Sequence, residues 1–290
     1  MKLVVSILAH EKPDVVLDQL ANLRHFLPDA TVVLHLHRQF AWMEKKPLFG
    51  YPTSALIDFA KQPNVLVNPQ SVTTLWANLH HAHHANFHYA CRELDFDFFL
   101  LHSSSDMFAR EGVERYISQH DCGVSLLAPQ PEFGYALRAE GDPVYQAIAR
   151  DAGAKELWTS QVEGTFYRRE LFADLVARIE KHHKFDPSKS YVHEEIYYPT
   201  IISAMNVKRG YPYLLREDRA ELPNLDEKLV ELIRTVGLPD HFKERWRLGR
   251  RGVYQVWEGK HIYAMRPVPR VYNHPLRQCL RDVIASAEKP

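Results

Sequence analysis

The chain has 290 residues, 46% of them apolar and 25% charged, with 36 basic residues balanced by 36 acidic ones. That length and apolar content support a sizeable core of ordinary globular make-up. A formal net charge of zero argues against nucleic acid held by a general electrostatic field.

Leu3 to Leu8 is the first predicted strand. Pro13 then opens a helix carrying Val15, Val16, Leu20 and Leu23 near helical spacing. Thr31 to Leu36 is a second strand, rich in β-branched residues. A helix from Ser54 to Ala60 and a short strand at Val65 to Val67 follow, and then a long helix over about Val72 to Leu94. Phe98-Phe99-Leu100-Leu101 is an uninterrupted apolar run, as expected of a strand buried on both faces. A helix at Arg110 to His120 and a strand at Gly123 to Leu127 complete an alternating pattern, which predicts a mostly parallel sheet flanked by helices. Beyond it come a loop-rich stretch, a strand at Thr165 to Tyr167, helices at Arg169 to His182 and His193 to Met205, and one amphipathic helix near Asp226 to Val236. The rest of the carboxyl-terminal part reads as short strands, prolines and basic residues, so residues 1–205 are expected to form the main α/β unit, with 206–290 as a loop-rich basic extension packed on it.

Cys91, Cys122 and Cys279 are widely spaced and form no C-x-x-C pair, which argues against a disulfide framework or zinc knuckle and favours a reducing compartment. The apolar stretch before His10 is short for a signal core, and no run approaches the roughly 20 apolar residues of a membrane span. The expectation is a cytoplasmic protein.

Four constellations carry chemistry. The Phe98 run ends in His102-Ser103-Ser104-Ser105-Asp106, and in open α/β sheets ligands sit beyond the carboxyl ends of the strands. One acid among small hydroxyls suits hydrogen bonding to a sugar or ribose better than a hard cation, which wants several carboxylates; a plain serine turn is the structural alternative. Asp95-Phe96-Asp97 has the Asp-x-Asp form but lies at the start of that strand, the wrong end of the sheet for a ligand. His193-Glu194-Glu195 opens a helix, where the macrodipole favours acids, with Tyr197 and Tyr198 behind them; a partly desolvated carboxylate there could serve as a general base. His80, His84 and His88 lie at i, i+4 and i+8, so they share a helix face that could hold a metal or line a polar groove, with Trp76 and Asn78 suited to a sugar beside it. No carboxylate or cysteine at matching spacing completes a metal site, so none is assigned. Finally, the basic carboxyl-terminal region includes Arg250, Arg251 and Lys260, which could neutralise a departing diphosphate without a metal; a solvated face, or one touching anionic lipid, is the alternative.

In order, Ser6-Ile7-Leu8-Ala9-His10-Glu11-Lys12-Pro13, Val33-Leu34-His35-Leu36-His37, the Trp76 region, Phe98 to Asp106, Gly164 to Leu171 with Arg169-Glu170, and Glu194-Glu195-Ile196-Tyr197-Tyr198-Pro199-Thr200 form a series. That series resembles the core-2/I-branching N-acetylglucosaminyltransferase and peptide O-xylosyltransferase family, glycosyltransferase family 14, over residues 3–205. Trp76-Ala77 stands where the family has Trp-Gly, and His37 and Glu194 where it has Asp. The resemblance implies a GT-A-like fold, and the departures from the family's pattern suggest a bacterial enzyme of surface polysaccharide synthesis. It implies inverting, metal-independent transfer from a UDP-sugar, N-acetylglucosamine first, to a glycan or glycolipid hydroxyl, with no cofactor. Glu195 would be the catalytic base, Asp106 a sugar-binding acid, and Ser104, Ser105, His10, Trp76 and Glu194 further substrate contacts. Nucleic acid is not an expected partner, and peripheral contact with the inner membrane is. The competing readings are a metal-dependent hydrolase built on His80, His84 and His88, and a non-catalytic carbohydrate-binding protein.

Overall fold

The computed structural model describes residues 1–36, 53–74, 77–128, 138–185, 191–216, 227–235 and 261–287. A seven-stranded sheet runs through the first two-thirds of the chain, built from β1 (Leu3–Ala9), β2 (Thr31–Leu36), β3 (Val65–Val67), β4 (Phe98–Ser103), β6 (Cys122–Gly123), β7 (Phe166–Arg168) and β8 (Arg209–Gly210). Its order is β3-β2-β1-β4-β7-β6-β8. β3, β2, β1 and β4 are mutually parallel, β7 pairs antiparallel with both β4 and β6, and β8 is parallel to β6, so β7 alone runs against the rest. The register sets Leu8 beside Ser103 and Ala9 beside Leu36, which brings the carboxyl ends of β1, β2 and β4 to one edge.

The central strands are buried and mostly apolar because both faces are covered, with Ser6, His35 and His102 the buried polar exceptions. On one face Val5, Ile7, Leu34 and Leu100 pack with Val16, Leu20 and Leu23 of α1 (Pro13–Phe26). On the other, Val4, Val33, Phe99 and Leu101 meet Phe87 of α3 (His80–Glu93), Phe172 and Leu175 of α6 (Arg169–His182), and Ile196 and Tyr197 of α7 (His193–Ser203). The alternation is the period of two that a strand imposes on its side chains. Shorter helices α2 (Thr53–Ala60), α4 (Val113–Ile117) and α5 (Pro143–Ala152) also lie in the first two-thirds.

The carboxyl-terminal part contributes β9 (Leu214–Arg216), α8 (Glu227–Thr235), β10 (Ala264–Arg266) and α9 (Pro275–Ala287). β10 lies between β9 and β5 (Met107–Phe108) in a second sheet of three strands. Met107, Met265, Ile233, Leu276 and Leu280 form a separate apolar cluster there. A buried ion pair, Arg277 Nη1 to Asp18 Oδ2 at 2.6 Å, ties α9 to α1. No helix among the described residues is long and apolar enough to cross a membrane.

Three expectations need correction. The helix expected from Val72 begins only at His80: residues 71–74 have no helical structure, and Ala77 takes φ 78°, a left-handed turn that a continuous helix excludes. The elements expected at 110–120 and 123–127 shrink to Val113–Ile117 and Cys122–Gly123. Helix α9 falls where only short strands and basic loop were expected, although Leu276, Leu280 and Val283 already stand at i, i+4 and i+7.

Candidate active site at the carboxyl edge of the sheet

The turn after β4 is built on Asp106. Its carboxylate accepts hydrogen bonds from the backbone N–H of Ser103 (2.8 Å) and from Ser103 Oγ (2.8 Å), while Gln19 of α1 donates to the carbonyls of Ser103 and Asp106. Ser104, Ser105 and Asp106 are all buried, and Ser105 Oγ lies 2.9 Å from Ser103 Oγ. The hydroxyl-rich tip therefore sits beneath the surface: Ser103, Ser105 and Asp106 bond to one another within the turn, whereas Ser104 Oγ is buried without a hydrogen-bond partner.

What Asp106 faces is Arg266, at the end of β10, with 3.4 Å from carboxylate to Nε. Arg266 also forms an ion pair with Glu163, and the charge of Glu195 likewise favours the charged guanidinium. Burial alone would lower the pKa of this guanidinium, but the carboxylates of Glu163, Asp106 and Glu195 outweigh it and hold the charge more firmly. Burial pushes Asp106 up to about 7, with Glu163 adding to the shift, while Arg266 and the Ser103 hydrogen bonds oppose it. Glu163 precedes Gly164, whose φ of 79° and close approach to Leu214 leave no room for a side chain. Nearby, Arg270 Nε lies 2.8 Å from buried Glu11, and Glu11 also meets His10 Nε2 at 3.1 Å. Two arginines of the carboxyl-terminal segment thus reach acids at the carboxyl edge of the sheet.

Helix α7 supplies the adjacent glutamates. Its first turn is pinned where His193 N–H donates to the carbonyl of Ala77, at 3.2 Å. Glu194 is buried, and burial, with Glu195 and Glu163 acting in the same direction, raises it to about 8. Glu195 is half-buried, and its carbonyl accepts from the backbone N–H of Ser160. One buried carboxylic acid next to a more open carboxylate splits a like-charged pair, since side by side both do not ionise easily.

Asp106 and Glu195 thus both act on Arg266, Glu194 is adjacent to Glu195, and His10 lies at the same edge of the sheet. Arg266 and Glu163, both central to the arrangement, were not singled out from sequence: each acquires its meaning from partners distant along the chain. Trp76, Arg250, Arg251 and Lys260 lie outside the described residues. Asn78 is buried.

The histidine stretch divides. His84 Nδ1 and His88 Nε2 turn to the same Glu180 of α6, at 3.3 and 2.9 Å. His80 instead packs against the rings of His81 and His183, tilted to both, and edge-on to His193. The expected trio of His80, His84 and His88 is not a convergent ligand set, because two of its members are held by a carboxylate on the neighbouring helix. His83 points into the sheet, where its Nδ1 lies 2.8 Å from Ser6 Oγ and Asn86 donates to that same oxygen.

No protein-family model matches this sequence, and no curated protein matches it. Among solved structures the chain is similar to the galactosyltransferase LgtC in complex with donor and acceptor sugar analogues, at 9% identity and TM-score 0.41 over 100% of this chain and 97% of that one. An active-site mutant of LgtC gives 8% identity and TM-score 0.41, over 99% and 96% of the two chains. The bifunctional IspDF from Campylobacter jejuni gives 12% and 0.33, covering 73% of this chain and 49% of that one. At such TM-scores the likenesses carry no argument about chemistry, which rests on the site itself.

Proposed function

We propose that the chain is a GT-A-like glycosyltransferase that moves a sugar from a UDP-sugar to a hydroxyl of a glycan or glycolipid acceptor. The donor to try first is UDP-N-acetylglucosamine. The observation that carries this reading is the Arg266 guanidinium, held at the sheet's carboxyl edge by Asp106 and Glu163, within electrostatic reach of Glu195, half-open at the first turn of α7. Ligand sites of α/β sheets are built at that edge.

In this reading Glu195 accepts the acceptor hydroxyl's proton as that oxygen attacks the anomeric carbon from the side opposite the diphosphate. The bond from the anomeric carbon to the phosphate oxygen breaks with its electron pair going to UDP, and the configuration inverts. Charge develops on the departing diphosphate, and a fixed guanidinium stabilises it without a metal ion in the transfer step. Arg266 has donors enough for this, since a guanidinium carries five N–H groups and can hold Asp106 and Glu163 while meeting a phosphate. Glu194, raised to about 8 by burial, stays largely protonated near neutrality and so does not compete with Glu195 for the proton. Arg250, Arg251 and Lys260 would add to the cationic wall. The enzyme would work in the cytoplasm, against the inner membrane where the acceptor is a glycolipid, in surface polysaccharide synthesis.

The test is a thermal-shift panel of UDP-sugars, each measured with and without EDTA against its own blank, followed by assay of UDP release. A bound ligand raises apparent stability in proportion to the logarithm of its saturation. The reading expects a shift with at least one UDP-sugar that survives EDTA, and UDP release that falls about 100-fold or more in Glu195→Gln. Stabilisation by free glycans with none by any nucleotide would replace it with a carbohydrate-binding role.

A further inference from the structure

We infer that His80, His81 and His183 form a binding site for a first-row divalent transition ion, Zn2+ first among them, separate from the sugar-transfer chemistry proposed above and not dependent on it. One ligand atom from each of the three side chains lies within 4.8 Å of the others. The rings of His80 and His81 are 4.2 Å apart, those of His80 and His183 are 4.8 Å apart, and those of His81 and His183 are 5.2 Å apart. Metal-bound imidazole nitrogens stand about 2.0–2.1 Å from zinc, so ligands around a tetrahedral ion are about 3.4 Å from one another. Rotations that move these rings by about 1 Å each would close the set.

The polar inventory of the cluster points to a ligand. His80 is fully buried, and neither ring nitrogen has a hydrogen-bond partner; Nε2 of His81 is likewise unpartnered. A buried imidazole whose nitrogens bond to nothing is rare in folded proteins, because each desolvated polar atom opposes folding. Neutral imidazole is the form that binds a transition ion. A second-shell group stands close by: Glu194 Oε2 lies 3.5 Å from His80 Nδ1, so that a small approach on metal binding would let it orient the ring and leave Nε2 for the ion. His81 is only half-buried and supplies a path from solvent.

The elements joined this way are the first turn of α3 and the segment just after α6, with His193 of α7 edge-on to His183 at 4.6 Å. An ion there would cross-link the two segments behind Glu194. Its role is structural, and no transfer step is routed through it.

The experiment uses the full chain, stripped with EDTA and dialysed, then titrated with Co2+ and Zn2+. Cobalt is read by its visible ligand-field absorption and zinc by metal analysis after gel filtration and by thermal shift. The proposal expects one equivalent of ion, a tetrahedral cobalt spectrum and a rise in Tm. It expects affinity to fall at least tenfold in His81→Ala and in His183→Gln, with no change in His88→Ala. His81 is half-exposed, so His81→Ala keeps the test meaningful should His183→Gln fail to fold. Substoichiometric binding by the wild type, or equal affinity in wild type and His81→Ala, overturns the site.

Discussion

Replacing Arg277 with methionine removes the cation of a buried pair and leaves Asp18 behind. Arg277 is 0% exposed, donates from Nη1 to Asp18 at 2.6 Å and from Nε to the carbonyl of Pro269 at 2.6 Å. Breaking a buried ion pair from one side typically costs about 3–5 kcal/mol, because the surviving charge is stranded. Here Arg281 Nη1 stays 3.1 Å from the other oxygen of Asp18, which sets the expectation at the lower end, about 3 kcal/mol. For 290 residues, an unfolding entropy of about 2.1 cal/mol/K per residue turns that into a Tm fall of about 5 °C. The assay is urea unfolding followed by far-UV circular dichroism, run on Arg277→Met, Asp18→Asn and the double variant. The double variant should recover part of the loss, since no fully buried charge is then stranded; Arg281, which also loses Asp18, is partly exposed. A loss below about 1 kcal/mol in Arg277→Met would refute the reasoning, because that is the range of a solvated surface pair.

Other predictions concern the site. Glu194 is raised from 4.5 to about 8, so the folded chain keeps a proton that the unfolded chain releases; its contribution is full below about 4.5 and is lost as pH rises through about 8. Glu194→Gln should therefore flatten a decline in stability across that window, as read by Tm against pH. His80 and His83 act oppositely: held neutral by burial first, they protonate on unfolding, and stability falls as pH drops below 6.5. Gly164→Ala should lower stability by roughly 1–3 kcal/mol, through its positive φ and the collision of a new Cβ with Leu214, and should weaken donor binding by shifting Glu163 beside it; unchanged donor affinity would detach Glu163 from the site. Arg266→Met should lower kcat about 10- to 100-fold as the leaving diphosphate loses its charge partner, with UDP release as the readout.

How far the sequence disclosed this arrangement depended on the range of the contacts. Phe98 to Leu101 advertised a strand buried on both faces because every residue in it is apolar, and α6 began and ended where its periodicity did. Helix α9 was concealed by Arg277 and Arg281, whose charges suggest a solvated face until Asp18 appears opposite them. The start of α3 was misjudged because nothing local marks Ala77 as left-handed. The Glu194-Glu195 pair was legible as two acids at a helix start beside aromatic residues. Arg266 was not, since it stands in a run of similar cations and only tertiary folding selects it to face Asp106 and Glu163. Likewise, a helical wheel groups His80 with His84 and His88, while the fold groups it with His183 from another element.

The central claim is most directly tested by a crystal structure of the protein with an intact UDP-sugar. The account predicts the diphosphate on the Arg266 guanidinium, with the anomeric carbon turned toward Glu195. A nucleotide bound away from both side chains would contradict it.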